Sequence, residues 1–187
     1  MPRPPRIEIP GAFYHLGARG NDRQQIFDDE LRALWLHLVA QTVRTYEWTV
    51  FAYALMKNHY HLVIQLGDGG LSDGMFGLNN TFARASNGRF GRINHAFGQR
   101  FWSGLIADER HLAAVIPYVL WNPARKGVGR HPRDNAWTSY RASIGLDYAP
   151  ACLSTRALLE LYGPNPRKAV AALNRHVSDS HGRCQAP

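Results

Sequence analysis

Residues 54–65 read ALMKNHYHLVIQ and decide the fold, because this run joins two apolar strands through a short polar turn. Thr49–Met56 is β-branched and aromatic, Lys57 and Asn58 predict a tight turn, and His59–Leu66 predicts the next strand. Strands that are connected this closely pair with each other, so we expect an antiparallel hairpin.

Two histidines at the start of the second strand are candidate metal ligands. Side chains at positions i and i+2 of a strand point to one face, so His59 and His61 leave the strand on the same side. Two neutral imidazoles at this spacing can hold one metal ion, although a His-x-His triplet alone is more often a pair of ordinary half-buried histidines. The metal prediction therefore depends on a second element that supplies a third ligand.

The segments around the hairpin predict further strands alternating with helices. Strand signals cover residues 12–18 and 101–106. Apolar residues at helical spacing follow candidate N-caps at Asp28 and Asp108, and the second of these helices is expected to end at Asn122, before a proline. Local hairpins interleaved with helices indicate an α+β fold, with a ferredoxin-like antiparallel β-sheet and helices packed on it.

The segment between the third and fourth strands is less regular. Residues 71–87 predict a helix that Gly74 and Gly77 weaken, since glycine costs helical stability. Residues 86–98 are rich in glycine and arginine and predict a flexible basic loop.

The length of 187 residues predicts one domain, or one domain with an appendage. We place the main domain at residues 1–145 and a C-terminal helical extension with a disordered tail at residues 146–187. Within the extension, residues 154–177 carry two short helical patterns, and the last ten residues are polar and expected to be disordered.

The charge balance predicts a polyanionic partner. Lysine and arginine number 22 against 14 acidic residues, which gives a net charge of +8 and makes nucleic acid the default candidate partner; the alternative is a merely basic soluble protein.

Cys152 and Cys184 form no disulfide framework, which fits a reducing cytoplasm. The N-terminus lacks the apolar stretch of a signal peptide, and no run reaches the roughly 18 apolar residues of a membrane span, so we expect a soluble cytoplasmic protein.

The helix that follows Asp108 carries the second chemical element. Tyr118 and Asn122 are four residues apart and share a helix face, beside the apolar stripe. An isolated tyrosine there is usually a packing residue, and Asn122 alone is a helix end before proline. If this helix packs beside His59 and His61, however, Asn122 completes a three-ligand site with a tyrosine hydroxyl one turn away.

Five stretches in this order make the chain resemble the single-tyrosine HUH transposases, and in particular the REP-associated tyrosine transposases. They run from about residue 8 to residue 142, and they read GAFYHLGARGN at 11–21, NHYHL at 58–62, FGQRFWS at 97–103, YVLWNPARKG at 118–127 and AWTSY at 136–140. Each motif is weak by itself, but their order and spacing are specific.

The resemblance implies the HUH endonuclease fold and a transposase of single-stranded DNA. In the family, the tyrosine matched by Tyr118 attacks a DNA phosphodiester, joins covalently to the 5′-phosphate and releases a 3′-hydroxyl. A divalent metal ion, Mg or Mn, would be held by His59, His61 and Asn122. The implied substrate is a hairpin from a repetitive palindromic element with a short single-stranded guide, handled by a monomer or a homodimer at the nucleoid.

Basic residues interleaved with aromatic ones are the candidate contacts to single-stranded DNA, because bases stack and phosphates pair with cations. The alternative is that the aromatics are core and the arginines a solvated face. The predicted DNA-binding residues are Arg19, Arg84, Arg89, Arg92, Arg100, Arg125, Lys126 and Arg130.

The sequence departs from the family pattern at two positions, of which the first matters little and the second leaves other functions open. Lys57 replaces the usual proline, and Pro117 stands directly before Tyr118, where it deletes a helical hydrogen bond and is expected to kink the helix. A kink could aim the tyrosine or misplace it. The alternatives are therefore a non-cleaving DNA or RNA hairpin-binding module of the same fold and a metal hydrolase with a water nucleophile.

Overall fold

A computed structural model describes residues 6–181 of the chain. Its four strands form one antiparallel sheet in the order β2-β3-β1-β4, which confirms the predicted α+β arrangement and the hairpin. The strands are β1 (Phe13–Arg19), β2 (Thr49–Leu55), β3 (His59–Gln65) and β4 (Trp102–Ile106).

Helices cover both faces of the sheet. Tyr14 and Leu16 of β1 pack on one face in a core with the first two helices, whereas Phe13 packs on the opposite face with the third helix. This alternation follows from the two-residue period of a strand. The helices are α1 (Asp29–Tyr46), α2 (Leu71–Phe90), α3 (Glu109–Leu120), α4 (Asn122–Arg125), α5 (Tyr140–Ser143), α6 (Thr155–Glu160) and α7 (Pro166–Asp179).

Helix α2 is longer than predicted, and the expected flexible loop over residues 86–98 is wrong in its first part. The helix continues to Phe90 and ends where Gly91 adopts φ +62°, a left-handed conformation that suits glycine. Gly74 is needed rather than merely tolerated, because a Cβ there would lie 2.6 Å from the Trp48 ring. Close packing on Trp48 therefore outweighs the low helical propensity of glycine.

The predicted helix from Asp108 to Asn122 is two short helices. The Asp108 carboxylate accepts a hydrogen bond from the His111 amide and caps α3, as expected. Helix α3 runs through Pro117 and ends at Leu120, and Asn122 begins α4 instead of ending α3. Pro123 stands at the start of α4, where a proline costs nothing because the first helical turn makes no use of its missing N–H.

The C-terminal extension is helical, as predicted, and packs on the sheet face that α3 covers. Leu158, Leu173 and Val177 are fully buried in that core, and the Trp121 indole donates a 2.7 Å hydrogen bond to the Val177 carbonyl. Helix α7 runs to Asp179, so the first two of the ten residues expected to be disordered are helical; residues 182–187 lie outside the described part. The boundary at residue 145 stays a prediction.

None of the helices within residues 6–181 combines the length and the apolar character that crossing a membrane requires.

Candidate active site

The two candidate histidines lie on a central strand and are almost completely buried. In the pairing of β1 with β3, Arg19 stands opposite His59 and Gly17 stands opposite His61. The side chains of His59 and His61 are on the sheet face that α3 covers, with ring centroids 5.2 Å apart. The expectation that both imidazoles leave the strand on one side agrees with this placement.

His59 is held in one orientation by two polar neighbours. Its Nδ1 donates a 2.7 Å hydrogen bond to the side-chain oxygen of Asn58, the turn residue that precedes the strand. The Asn122 side chain is the second polar neighbour, and it raises the pKa of His59. Burial and the nearby Arg19 charge lower the pKa of His59 to about 4, so the ring is neutral at pH 7 and Nε2 carries a lone pair.

His61 contacts a third histidine, to which the sequence analysis assigned no role. Nε2 of His15, on β1, lies 3.0 Å from Nδ1 of His61. Burial lowers the pKa of both rings, to about 4 for His15 and well below its usual value for His61, where the other two histidines add to the effect. The contact is made by Nδ1 of His61 and not by its Nε2. The alternating pattern of β1 could have indicated which face of the sheet His15 occupies. Its contact with His61 could not be predicted without the pairing register of β1 and β3.

Trp102 closes the side of the histidine cluster, and Gly17 makes room for it. The Trp102 ring stands perpendicular to His15, with centroids 4.5 Å apart, and lies 5.6 Å from His61. A Cβ at Gly17 would come within 2.4 Å of the Trp102 ring and 2.6 Å of the Tyr60 carbonyl, so no larger residue fits.

Tyr118 lies on α3 directly beside this cluster. Its ring centroid is 5.9 Å from that of His15 and 6.1 Å from that of His61, and the side chain is 37% exposed. The Arg125 guanidinium stacks on the phenol ring at 4.9 Å from its centroid. Pro117 therefore leaves the tyrosine beside the histidines and partly exposed to solvent.

Asn122 is buried, and its side chain lies close enough to His59 to affect the pKa of that ring. Within residues 6–181, no cluster of three or more His, Cys, Asp or Glu residues has the arrangement of a metal site. The donor set here is two imidazoles and one amide. Neutral imidazoles and an amide oxygen are donors that divalent ions accept, so the chemistry of these residues fits such an ion.

The structure divides the predicted DNA-binding residues into two groups. Arg89 pairs with Asp28 at 2.6 Å and with Glu30 at 3.1 Å, and Arg92 donates to the Gln25 carbonyl. The other predicted DNA-binding residues form no ion pair with a carboxylate within residues 6–181. They are Arg19, Arg84, Arg100, Arg125, Lys126 and Arg130. The second group is therefore the better set of candidates for phosphate contacts.

An open groove lies on the other side of the sheet, between α2 and residues 93–101. It encloses about 710 Å³ and is lined by arginine, amide and aromatic side chains. A smaller cavity of about 510 Å³, lined by Arg19 and Trp102, adjoins it and shares Gln99 and Arg100 with it. A third cavity, of about 460 Å³, is lined by Arg19, His59 and Lys126.

Comparison with known proteins gives consistent matches. The family model described as "Transposase IS200 like" matches residues 9–119. A Haemophilus influenzae (strain Rd) protein named "Putative REP-associated tyrosine transposase" is 25% identical over 121 residues, which cover 59% of this chain and 69% of the relative.

The solved structure of a REP-associated tyrosine transposase bound to a REP hairpin has a TM-score of 0.66 to this chain at 18% identity. The match covers 82% of this chain and 92% of that one. At this identity the likeness shows a shared fold, and it agrees with the predicted sheet and helices.

Proposed function

The chain belongs to the IS200-like transposase family, as its motifs predicted, and from that premise we propose that it is a metal-dependent single-stranded DNA endonuclease and strand transferase. Its substrate would be a hairpin-containing repeat, the kind of DNA named for the solved relative. The observation that carries the proposal is the placement of Tyr118 about 6 Å, between ring centroids, from the His15 and His61 imidazoles.

In the proposed reaction, the Tyr118 hydroxyl attacks a DNA phosphorus. The oxygen–phosphorus bond to tyrosine forms as the bond to the 3′-oxygen breaks, the phenol loses its proton and the 3′-oxygen gains one. The products are a 5′-phosphotyrosine and a free 3′-hydroxyl. A later attack by a 3′-hydroxyl reverses these steps, so the strand is rejoined without ATP.

A phosphodiester repels nucleophiles because it is negatively charged, and cations at this site would offset that charge. A divalent ion, Mg or Mn, held by His59, His61 and Asn122 would offset the phosphate charge and fix its orientation. Imidazole suits later metals better than magnesium, so manganese should substitute well. Arg125, stacked on the Tyr118 ring, adds a positive charge beside the nucleophile.

The experiment that tests this function is adduct formation with a labelled hairpin oligonucleotide. The label is placed on the part of the oligonucleotide 3′ to the cut. With manganese, the native protein band should carry this label on a denaturing gel, and EDTA should abolish the labelled band. Tyr118→Phe should abolish the adduct while keeping hairpin affinity within a few-fold, because a half-exposed hydroxyl contributes little to packing. An adduct of native yield from Tyr118→Phe would refute the assignment.

A further inference from the structure

We propose that the C-terminal extension holds the α3–α4 junction in place through Trp121, and that Trp121 thereby positions Asn122 and Tyr118 for the reaction. This inference rests on the proposed function and adds a positioning residue to it. The family model matches residues 9–119, so Trp121 and the C-terminal helix that contacts it both lie outside the matched part of the chain.

Trp121 belongs to the backbone of both helices at this junction. Its amide donates a 2.9 Å hydrogen bond to the Pro117 carbonyl of α3, and its carbonyl accepts a 3.0 Å hydrogen bond from the Arg125 amide of α4. Tyr118 precedes Trp121 by three residues, and Asn122 follows it directly. A movement of Trp121 would therefore displace both the proposed nucleophile and the candidate metal ligand.

The two helices are poorly supported by their own backbone at this point. Pro117 has no amide hydrogen, so α3 lacks one of the hydrogen bonds that would hold its C-terminal part. Helix α4 has only four residues, which is too short for a helix to be stable by itself. The angle between α3 and α4 must therefore be fixed by packing against the rest of the molecule.

Helix α7 of the C-terminal extension provides this packing. The Trp121 side chain is buried, and its indole N–H donates a 2.7 Å hydrogen bond to the Val177 carbonyl. Val177 lies in the last turn of α7, where carbonyls lack regular helical partners, so the indole satisfies one of them. The Leu173 and Val177 side chains share a core with Val119 and Leu120 of α3.

Two histidines add further contacts to the Trp121 ring. His181, just after α7, and His131, in the loop after α4, have ring centroids 4.4 Å and 5.1 Å from that of Trp121. His131 also lies 5.5 Å from the ring of Tyr140, whose hydroxyl donates to the Asn174 side chain on α7. The indole is thus enclosed by several segments of the chain, and its position is fixed by all of them.

This support matters because a metal site tolerates little displacement of its ligands. The groups of a binding site must be held within about 0.5 Å of their productive positions by the packing around them. Asn122 is buried on a helix of one turn, so its placement depends on the neighbouring Trp121. We therefore expect Trp121 to affect metal affinity through Asn122 and adduct formation through Tyr118.

The first test is a double-mutant cycle of manganese affinity, measured by calorimetry. Trp121→Phe keeps an aromatic ring but removes the indole donor and leaves unfilled volume in the core. We expect it to weaken manganese binding roughly 10-fold, the lower end of the effect of changing a group that orients a ligand. In an Asn122→Ala background the same change should have no further effect, because residues that act as one unit are not additive.

Hydrogen exchange in EDTA tests the support of the junction without metal. The peptide containing residues 118–126 should exchange roughly 2- to 10-fold faster in Trp121→Phe, the ratio that corresponds to one lost hydrogen bond. The matched control is Trp48→Phe, in the core on the other face of the sheet, where the indole N–H has no hydrogen-bond partner within residues 6–181. This control should keep native manganese affinity and native exchange of the peptide.

The inference is overturned if Trp121→Phe keeps the native manganese affinity or the native exchange, or if Trp48→Phe changes both as much. It is also overturned if Trp121→Phe weakens binding equally in the Asn122→Ala background. The adduct assay is separate, so these results leave the proposed nuclease intact. If the native protein binds no manganese, the metal part of the proposed function is rejected, and hydrogen exchange alone decides the role of Trp121.

Discussion

At the scale of single residues, the site depends on which imidazole nitrogen is free. Asn58 accepts from Nδ1 of His59, and His15 contacts Nδ1 of His61, so a different neighbour engages Nδ1 of each ring. A ligand's orientation and tautomer are fixed by the partner of its other nitrogen. His15 is therefore a positioning residue, although the sequence alone did not assign it a role.

The His15 prediction uses two substitutions. His15→Phe keeps a ring against Trp102 but removes the partner of His61, so manganese affinity measured by calorimetry should fall about 10- to 100-fold. His15→Gln places an amide near the position of the lost Nε2 and should restore most of that affinity. If His15→Phe binds manganese like the native protein, His15 does not position His61; if Gln fails to restore binding, a ligand role for His15 replaces the positioning role.

At the scale of elements, the boundaries that local chemistry sets were predictable, and those that packing sets were not. The cap of α1 at Asp28 and the turn at Asn58 follow from side chains that bond to nearby backbone or side-chain groups. Gly74 was expected to weaken α2 because its contact with Trp48, a residue distant in sequence, could not be read from the local pattern. The approach of α3 to β3 is also a long-range contact, so the placement of Tyr118 needed the family resemblance or the structure.

Substitutions of Asn122 test the junction of α3 and α4. This candidate metal ligand follows Tyr118, the proposed nucleophile, by about one helical turn. Asn122→Ala should weaken manganese binding and slow adduct formation, whereas Asn122→Asp should bind metal but slow the reaction, because it adds a negative charge beside the phosphate. Asn165→Ala is the control, since Asn165 caps α7 far from the histidines in sequence and should affect stability alone. Unchanged metal affinity in Asn122→Ala would leave Asn122 as a helix start only.

At the scale of the whole molecule, one sheet separates two kinds of chemistry. The face under α3 holds the neutral, buried histidines with the tyrosine, and the face under α1 and α2 holds the aromatic core, with a basic groove at its margin. The net charge of +8 predicted a polyanionic partner but could not say where it binds. Ion pairing narrows the candidate positions, because it occupies Arg89 and, within residues 6–181, leaves Arg84 and Arg100 without a carboxylate partner.

The buried histidines also predict how stability depends on pH. His15 and His59 have pKa values of about 4 in the folded protein against about 6.5 when unfolded, and burial also lowers the pKa of His61 well below its ordinary value. The unfolded chain therefore binds more protons as the pH falls from 6.5 toward 4, so stability is complete above 6.5 and is lost through that window. We expect a loss on the order of 1 kcal/mol per histidine between pH 7 and pH 5.

Guanidinium unfolding followed by tryptophan fluorescence at both pH values measures this loss without metal. Asp28 has a lowered pKa and titrates below this window, so its carboxylate does not contribute. The His15→Gln variant should lose less stability than the native protein over the same interval. Equal stability at pH 7 and pH 5 would contradict the burial of neutral histidines.

The central claim is that Tyr118 forms a covalent bond to DNA, and peptide mass spectrometry of the trapped adduct tests it most directly. Digestion with trypsin and nuclease should leave a nucleotide on the peptide that contains Tyr118, attached through its 5′-phosphate, and this mass should be absent when EDTA is present. A nucleotide found on any other residue, or cleavage of the hairpin with no modified peptide, would contradict the account.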